Sequence, residues 1–524
     1  VKYGDGRGWP LAADGAGHSL IPETEAVSGQ RAGWLDYGGN WRASTFLNGS
    51  PGRADPEPPP GPVINELMAQ THLTDPRYPQ YDSNDWIELH NAGPLEVNLA
   101  GWYLSDNAAQ LDKWAIPDLD LPPGAFITFD EVTGFHTPIT SGFGLNGTGE
   151  ELFLSHLPGG NENRVVDAVR FKGQEEGFSW GRALDFPSHW RRLVPTRGAA
   201  NLEADCAITI SEIMYHPYDK REGTDLVDNT ADEYVELHNP GSAPVALHDT
   251  NGVWRLDGGV RFLFPTNTIL EPGASLLVVS FDPAHAAILA LFRQKYGIAG
   301  LDVAILGPYA GTLGNATDRV AIEKPLARKT PDDPPAWAIL DEVIYGSGWP
   351  WPQAWPAGQG ASLQRVGTGT GNAPDAWRPW WPTPGFDNFR ESLSDFDGDA
   401  LPDWWETEMG LDPLDPSGDN GVEGDPDADG LANWLEFEGR TDPRATTLRL
   451  FSIERLEAGV ELRFNQPAGY AVQLEAANSI EATAWEVIVS FPGQASARIA
   501  VATDLPPGAA SARFYRPQGQ PLNQ

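Results

Sequence analysis

Two short stretches of the chain carry side chains at spacings that can do chemistry. Asp395, Asp397, Asp399, Asp403 and Glu406 fall at positions 1, 3, 5, 9 and 12 of one twelve-residue window. Asp425, Asp427, Asp429, Asn433 and Glu436 fall at the same positions of a second, with Gly430 at position 6. Alternate residues of a tight loop point their oxygens inward, and a Glu at position 12 can close the ring with two more. Such a set of hard oxygens in this register fits Ca2+, which takes about six to eight of them. Position 7 contributes only a backbone carbonyl, so Leu401 and Leu431 are compatible there. The first window places Ala400 where the sharp turn prefers Gly, with Gly398 two residues earlier. A solvated acidic linker would also be rich in Asp, but it would not repeat a ligand register.

The elements that position these ligands are short. Trp404-Trp405-Glu406 and Trp434-Leu435-Glu436 begin amphipathic segments. Helix-stop signals follow at Gly410…Asp412-Pro413 and Gly439…Asp442-Pro443. Trp404, Trp405, Leu411, Leu431, Trp434, Leu435 and Phe437 form a small apolar set that can pack only when both loops close. Crowded carboxylates repel one another, so closure and cation binding are expected to be coupled. The stretch 395–443 resembles the thrombospondin type 3 and dockerin-like calcium repeats of secreted proteins. In that family the ions are structural and stiffen a spacer between domains.

The chain has 524 residues, room for three or four domains. Gly 57 and Pro 47 favour turn-rich β structure. A net charge of −38, with no basic cluster longer than Arg191-Arg192, argues against nucleic-acid partners and anionic membranes. Cys206 is the only cysteine, so no internal disulfide forms. No run of eighteen apolar residues is present, so no membrane-spanning helix is expected. The sequence opens in mid-pattern at Val1, which reads as part of a longer exported protein.

Internal repeats organise the remainder. Val63-Ile64-Asn65-Glu66-Leu67-Met68 matches Thr209-Ile210-Ser211-Glu212-Ile213-Met214, and Trp86-Ile87-Glu88-Leu89-His90-Asn91 matches Tyr234-Val235-Glu236-Leu237-His238-Asn239. Both second segments alternate and then break at Asn–X–Gly, the pattern of a half-buried strand entering a turn. Module ends repeat as well. Residues 1–52, 169–201 and 343–385 each run from an aliphatic–X–aromatic strand through a Gly-rich turn and a Trp to a Pro–X–(X)–Gly exit. Residues 1–52 therefore read as the tail of a module. One further helix is expected from Pro283 to about Tyr296.

On these words, residues 63–201 resemble a lamin-tail domain. Residues 208–388 resemble the longer variant found in bacterial proteins that also carry a spore-coat CotH-type kinase domain. Residues 446–517, with the strands around Val460–Phe464 and Tyr470–Glu475, are similar to small fibronectin-type-III-like modules. The resemblance implies a mainly β fold of tandem immunoglobulin-like sandwiches, joined by a short helical calcium segment to a small C-terminal sandwich. The expected division is a module tail at 1–55, a Pro-rich linker at 56–62, sandwiches at 63–201 and 202–390, calcium loops at 391–445, a β module at 446–517 and a tail at 518–524. The implied function is non-catalytic: an extracellular or cell-surface bacterial protein whose sandwiches serve adhesion or docking to a surface protein or glycan. The alternatives are the accessory part of a larger exported enzyme and a carbohydrate-binding protein. No Gly-rich kinase loop, His-Arg-Asp stretch or Asp-Phe-Gly occurs, so an enzyme is not expected from these residues.

Other residues have blander readings. His90 and His238 share one slot beside Glu88 and Glu236, but one His per module lacks the further ligands of a zinc site. They read as solvent-facing strand residues. The runs Trp349…Trp351…Trp355 and Trp377…Trp380-Trp381 read as caps of a sandwich core before they read as sugar platforms. Ser362 lies outside any G-x-S-x-G elbow.

Overall fold

A computed structural model describes residues 3–23, 34–71, 84–136, 142–184, 187–217, 220–222, 225–328, 330, 332–348, 350–352, 360–380, 382–389, 399–412, 415–439, 441–456, 459–479, 484–504 and 513–521. The fold is mainly β, in tandem sandwiches. Two compact units divide it: residues 1–288 with 301–390, and residues 289–300 with 391–524.

The first unit holds two sandwiches built on one plan. In the first, a six-stranded sheet runs in the order Leu202–Glu203, Trp190–Val194, Ser179–Arg182, Val63–Met68, Trp86–His90, Phe126–Asp130. A four-stranded sheet of Arg164–Lys172, Gly149–His156, Trp102–Ser105 and Trp114–Ala115 accompanies it. Ile64, Leu67, Ile87, Leu89, Leu152 and Leu154 are fully buried in their shared core. The second sandwich repeats the central order with Trp377–Trp380, Ser362–Arg365, Thr209–Met214, Tyr234–His238 and Ser275–Val279. Both copies carry a β-bulge at the same place. Ile64 faces Leu89 while Glu66 faces Glu88, and Ile210 faces Leu237 while Glu212 faces Glu236. The extra residue lets Ile64 and Leu67, three apart, both reach the core, as Ile210 and Ile213 do.

The matched glutamates anchor the matched exits. Glu66 accepts from the Thr196 N–H at 3.1 Å, the Thr196 hydroxyl at 2.9 Å and the Ser179 hydroxyl. Glu88 accepts from Asn65 at 2.9 Å and from the Gly198 N–H. In the second sandwich Glu212 accepts from the Thr383 N–H at 3.0 Å and from the Tyr234 hydroxyl, and Glu236 accepts from the Ser211 hydroxyl and the Gly385 N–H, both at 2.6 Å. Each Pro–Thr–X–Gly turn is thus tied to the two central strands.

Residues 3–23 and 34–55 hold the same terminal strand pair, with Leu20–Pro22 paired to Trp41–Ala43 as Ser362–Arg365 is to Trp377–Trp380. This segment joins the two sandwiches. Arg7 grips Glu342 through two bonds at 2.7 and 2.9 Å and donates to the Arg170 carbonyl at 2.7 Å. Tyr37 enters the core of the second sandwich, and Leu11, Ala12 and Ala16 pack on Phe153 and Val165 of the first. Lys172 adds an ionic link to Asp257 at 3.0 Å and to Glu323 at 2.5 Å, which Arg255 and Arg319 share.

Trp351 and Trp377 are buried in the second core, as expected; Trp349, Trp355 and Trp381 lie outside the described residues. His90 and His238 are half-buried: His90 stacks on Phe126 at 4.3 Å and His238 meets the Ser275 hydroxyl at 3.2 Å. The cause is that their strands are central and covered on both faces. Helix α1 spans Ala286–Lys295, close to the expected range. No helix among the described residues is long and apolar enough to cross a membrane.

The second unit contains a six-strand sandwich. One sheet is Leu450–Leu456, Gly459–Gln466 and Arg498–Asp504; the other is Glu486–Phe491, Tyr470–Ala477 and Phe514–Pro521. Leu462, Phe464, Val472 and Leu474 fill its core. Helices α2 (Asp403–Met409) and α3 (Asn433–Gly439) belong to the same unit.

Candidate metal centre

Residues 425–436 form a loop that runs into α3. Its conformation follows from carboxylates bonding nearby backbone N–H groups, as short acidic side chains do in turns. Asp425 accepts from the N–H groups of Asp429 and Gly430 at 3.1 and 2.9 Å. Asp427 accepts from Asp429 at 3.0 Å, and Asp429 from Leu431 at 2.8 Å. Gly430, at φ +92°, makes the sharp turn; a Cβ there would stand 3.2 Å from Ala497 Cβ and from the Arg498 nitrogen. Ala428 also lies in the left-handed region, at φ +57°.

This folding brings the predicted ligands together. One oxygen each from Asp425, Asp427 and Asp429 lies within 4.8 Å of the other two. Asp429, Asn433 and Glu436 are fully buried. Asn433 spends its amide nitrogen on the carbonyls of Asp419 and Gly421, at 2.9 and 2.8 Å, which fixes which way the amide points. Its Oδ1 is then buried with no donor, as are Asp427 Oδ2 and Glu436 Oε2. Three buried acceptor atoms in one loop, each without a hydrogen-bond donor, are costly unless a cation satisfies them. Without one, burial raises all three carboxyls. Asp427 rises to about 7, helped by Asp429, and Glu436 to about 8, helped by Asp429 and Asp427. Asp429 is raised by burial as well. A divalent ion would reverse this by stabilising the ionised forms. The donor set therefore fits calcium: all oxygen, mostly carboxylate, in the register the ion requires.

The first loop is visible in part. Asp395 and Asp397 lie outside the described residues, as does the side chain of Asp403, the first residue of α2. The remaining half matches the second loop. Asp399 accepts from the Leu401 N–H at 2.8 Å, as Asp429 does from Leu431. Ala400 takes φ +78°, so the turn that favours Gly is made by Ala in the left-handed region. Leu401 and Glu406 are buried. The N–H of Leu411 caps α2 on the Glu406 carbonyl at 2.7 Å, with Gly410 at φ +70°. In α3 the equivalent bond runs from Thr441 to the Glu436 carbonyl at 2.9 Å, and the helix ends at Gly439, where the stop signal places it. The helices meet through Trp405 and Phe437, whose rings are 5.5 Å apart and edge to face. Leu411 and Leu431 are buried, whereas Trp434 is 37% exposed and stands outside that small core.

Two features were not evident from ligand spacing. Asp429 Oδ2 accepts from the Thr447 N–H at 2.6 Å, and its carbonyl receives Asn465 at 3.3 Å, so the loop is wired directly to the C-terminal sandwich. The second is the pairing of buried glutamates in the two large sandwiches. Their signal was present: Glu66 with Glu88, and Glu212 with Glu236, recur at matched positions of the repeat.

No family model matches the sequence, and no curated protein matches it. Among solved structures, the crystal structure of a DUF4876 family protein from Bacteroides thetaiotaomicron is similar over 66% of this chain and 98% of that chain, with 10% identity and a TM-score of 0.22. A likeness of that size carries no argument about either protein.

Proposed function

We propose that residues 425–436 bind calcium through Asp425, Asp427, Asp429, the Leu431 carbonyl, Asn433 and Glu436, and that residues 395–406 bind a second ion through the matching positions. The ions stiffen the spacer 391–445 of a non-catalytic, exported cell-surface or extracellular protein. Its lamin-tail-like sandwiches serve adhesion or docking. The observation that carries the calcium reading is the set of buried oxygens without donors at Asp427, Asn433 and Glu436. The lamin-tail resemblance supports the role of the sandwiches. Calorimetric titration of the full chain tests the calcium sites: binding in the range of about 10⁻⁴ to 10⁻³ M or tighter is expected. No heat of binding at millimolar calcium, or the same proteolytic pattern between residues 399 and 447 in calcium and in EDTA, overturns the reading.

Carbohydrate binding is a second reading with one observation in its favour. A cavity of about 520 Å³ lies in the first unit, with Trp9, Trp41, Trp190 and Tyr37 among its walls and Arg42 and Glu23 at hand for hydroxyls. A glycan array on the full chain, repeated with Trp41→Ala, decides it. Absence of any hit, or hits unmoved by the substitution, removes this reading.

A further inference from the structure

The second sandwich carries oxygens without donors of its own, on two loops that meet where Leu313 reaches Glu233 and Asn315 reaches Asp228. The loops are 228–233 and 313–318. Glu233 is fully buried; its Oε2 accepts from the Tyr309 hydroxyl at 2.8 Å and the Leu313 N–H at 3.0 Å, while its Oε1 is buried with no donor. Asn229 is 2% exposed, and its amide nitrogen donates to Asp232 at 2.6 Å, leaving Oδ1 buried without a donor. Asn315 repeats the arrangement: its nitrogen donates to Asp228 at 3.1 Å, and its Oδ1 is buried without a donor. Because each amide nitrogen is held by a carboxylate, the orientation of both amides is fixed by chemistry.

Asp228 and Asp318 both act on Glu233. The nearby cation, Arg319, directs its guanidinium to Asp257, Glu323 and Glu342. The first sandwich differs at the matched loop. There Asp85 holds the position of Glu233, directly before the matched strand. Asn84 Oδ1 accepts the Val132 N–H at 3.1 Å, and the Glu131 N–H reaches the Asp85 carbonyl at 2.7 Å. The turn Glu131–Phe135 supplies those donors. Among the described residues, no donor reaches Glu233 Oε1, Asn229 Oδ1 or Asn315 Oδ1.

We propose that loops 228–233 and 313–318 hold a divalent cation of the calcium class, with Glu233 Oε1, Asn229 Oδ1 and Asn315 Oδ1 as ligands and the exposed Asp228 as the outer carboxylate. All the ligands are oxygens, and two are neutral amides, a set that suits calcium over softer metals. This site stands independently of residues 425–436. The test is calcium stoichiometry on the full chain carrying Glu436→Gln, so that the acidic loop does not mask the result. Asn315→Ala, on a partly exposed residue, is expected to remove one bound calcium per chain and to abolish calcium-dependent slowing of amide exchange at Leu313. Glu233→Gln is expected to do the same; Asn315→Ala covers the case in which Glu233→Gln fails to fold. Unchanged stoichiometry in a folded Asn315→Ala chain, or amide exchange at Leu313 that ignores calcium in the parent, overturns the proposal. Loss of binding in Glu436→Gln with retention here would separate this site from the loop.

Discussion

Buried carboxylates occur in two settings in this molecule, and the settings differ in one respect. In the sandwiches, Glu66, Glu88, Glu212 and Glu236 are buried to the same extent as Glu436 in the loop. Each sandwich glutamate receives N–H or O–H donors from a turn or a strand. Glu436, Asp427 and Asn433 of the loop each keep a buried oxygen that receives none. A buried acid is therefore not itself the mark of an ion site. Missing donors are. The fold meets the valence of these four sandwich glutamates and leaves oxygens of the loop residues unmet, which is the basis of the calcium proposal.

The largest expected effect tests the structural half of this comparison. Glu212→Ala strands the Thr383 and Tyr234 donors inside the protein, which should cost about 3 kcal/mol or more. Urea unfolding should show this loss in the first unit equally in calcium and in EDTA. A loss that calcium rescues would break the distinction.

Next comes the ligand half. Glu436→Gln should weaken calcium binding about 100-fold, near 2.7 kcal/mol, while leaving unfolding of the first unit unchanged. Asn433→Ala should weaken it less, because it removes a neutral oxygen. Calorimetry that ranks the two in the opposite order would mean that the amide's grip on Asp419 and Gly421 matters more than its oxygen.

A smaller effect concerns pH. Burial raises Glu88 to about 7, and burial with the neighbouring Glu212 raises Glu236 to about 8. A raised carboxyl binds its proton more tightly when folded. Its contribution is thus complete below the unfolded value near 4.5 and is lost as pH rises through the folded value. The first unit should melt at a lower temperature at pH 8.5 than at pH 5.5, by the equivalent of about 1–3 kcal/mol. Glu236→Gln should flatten the profile. A melting temperature that climbs over this range would contradict the assignment.

The smallest effect compares the two loops. Ala400 and Ala428 occupy left-handed conformations that glycine adopts without strain. Relief of that strain and the greater freedom of an unfolded glycine oppose each other. Ala428→Gly should therefore change stability in calcium by no more than about 0.5 kcal/mol. A larger gain would show that the turn stores strain.

Much of this was legible in the sequence. The twelve-residue register located residues 425–436, because ligand spacing is local and a loop needs few neighbours to adopt it. The paired strand words located both sandwiches, since alternation records which face is buried. What the sequence did not disclose was long-range. The bond from Thr447 to Asp429, the insertion of Tyr37 into the second core, and the amide oxygens of Asn229 and Asn315 depend on segments that meet only after folding. Nothing local distinguishes Glu88 as a turn anchor from an exposed strand glutamate; the distinction comes from Gly198, over a hundred residues away.

The anchored exits have a mechanical consequence. In each large sandwich the chain leaves through a Pro–Thr–X–Gly turn whose N–H groups and hydroxyl are bonded to two adjacent central strands. In the second sandwich, tension from the C-terminal side would pass through this turn to Thr209–Met214 and Tyr234–His238; in the first, the short edge strand Leu202–Glu203 lies beyond the turn and takes the load first. Central strands share their load among many ladder bonds, whereas an edge strand opens one bond at a time. The second sandwich is thereby arranged to resist pulling from its C-terminal side in shear.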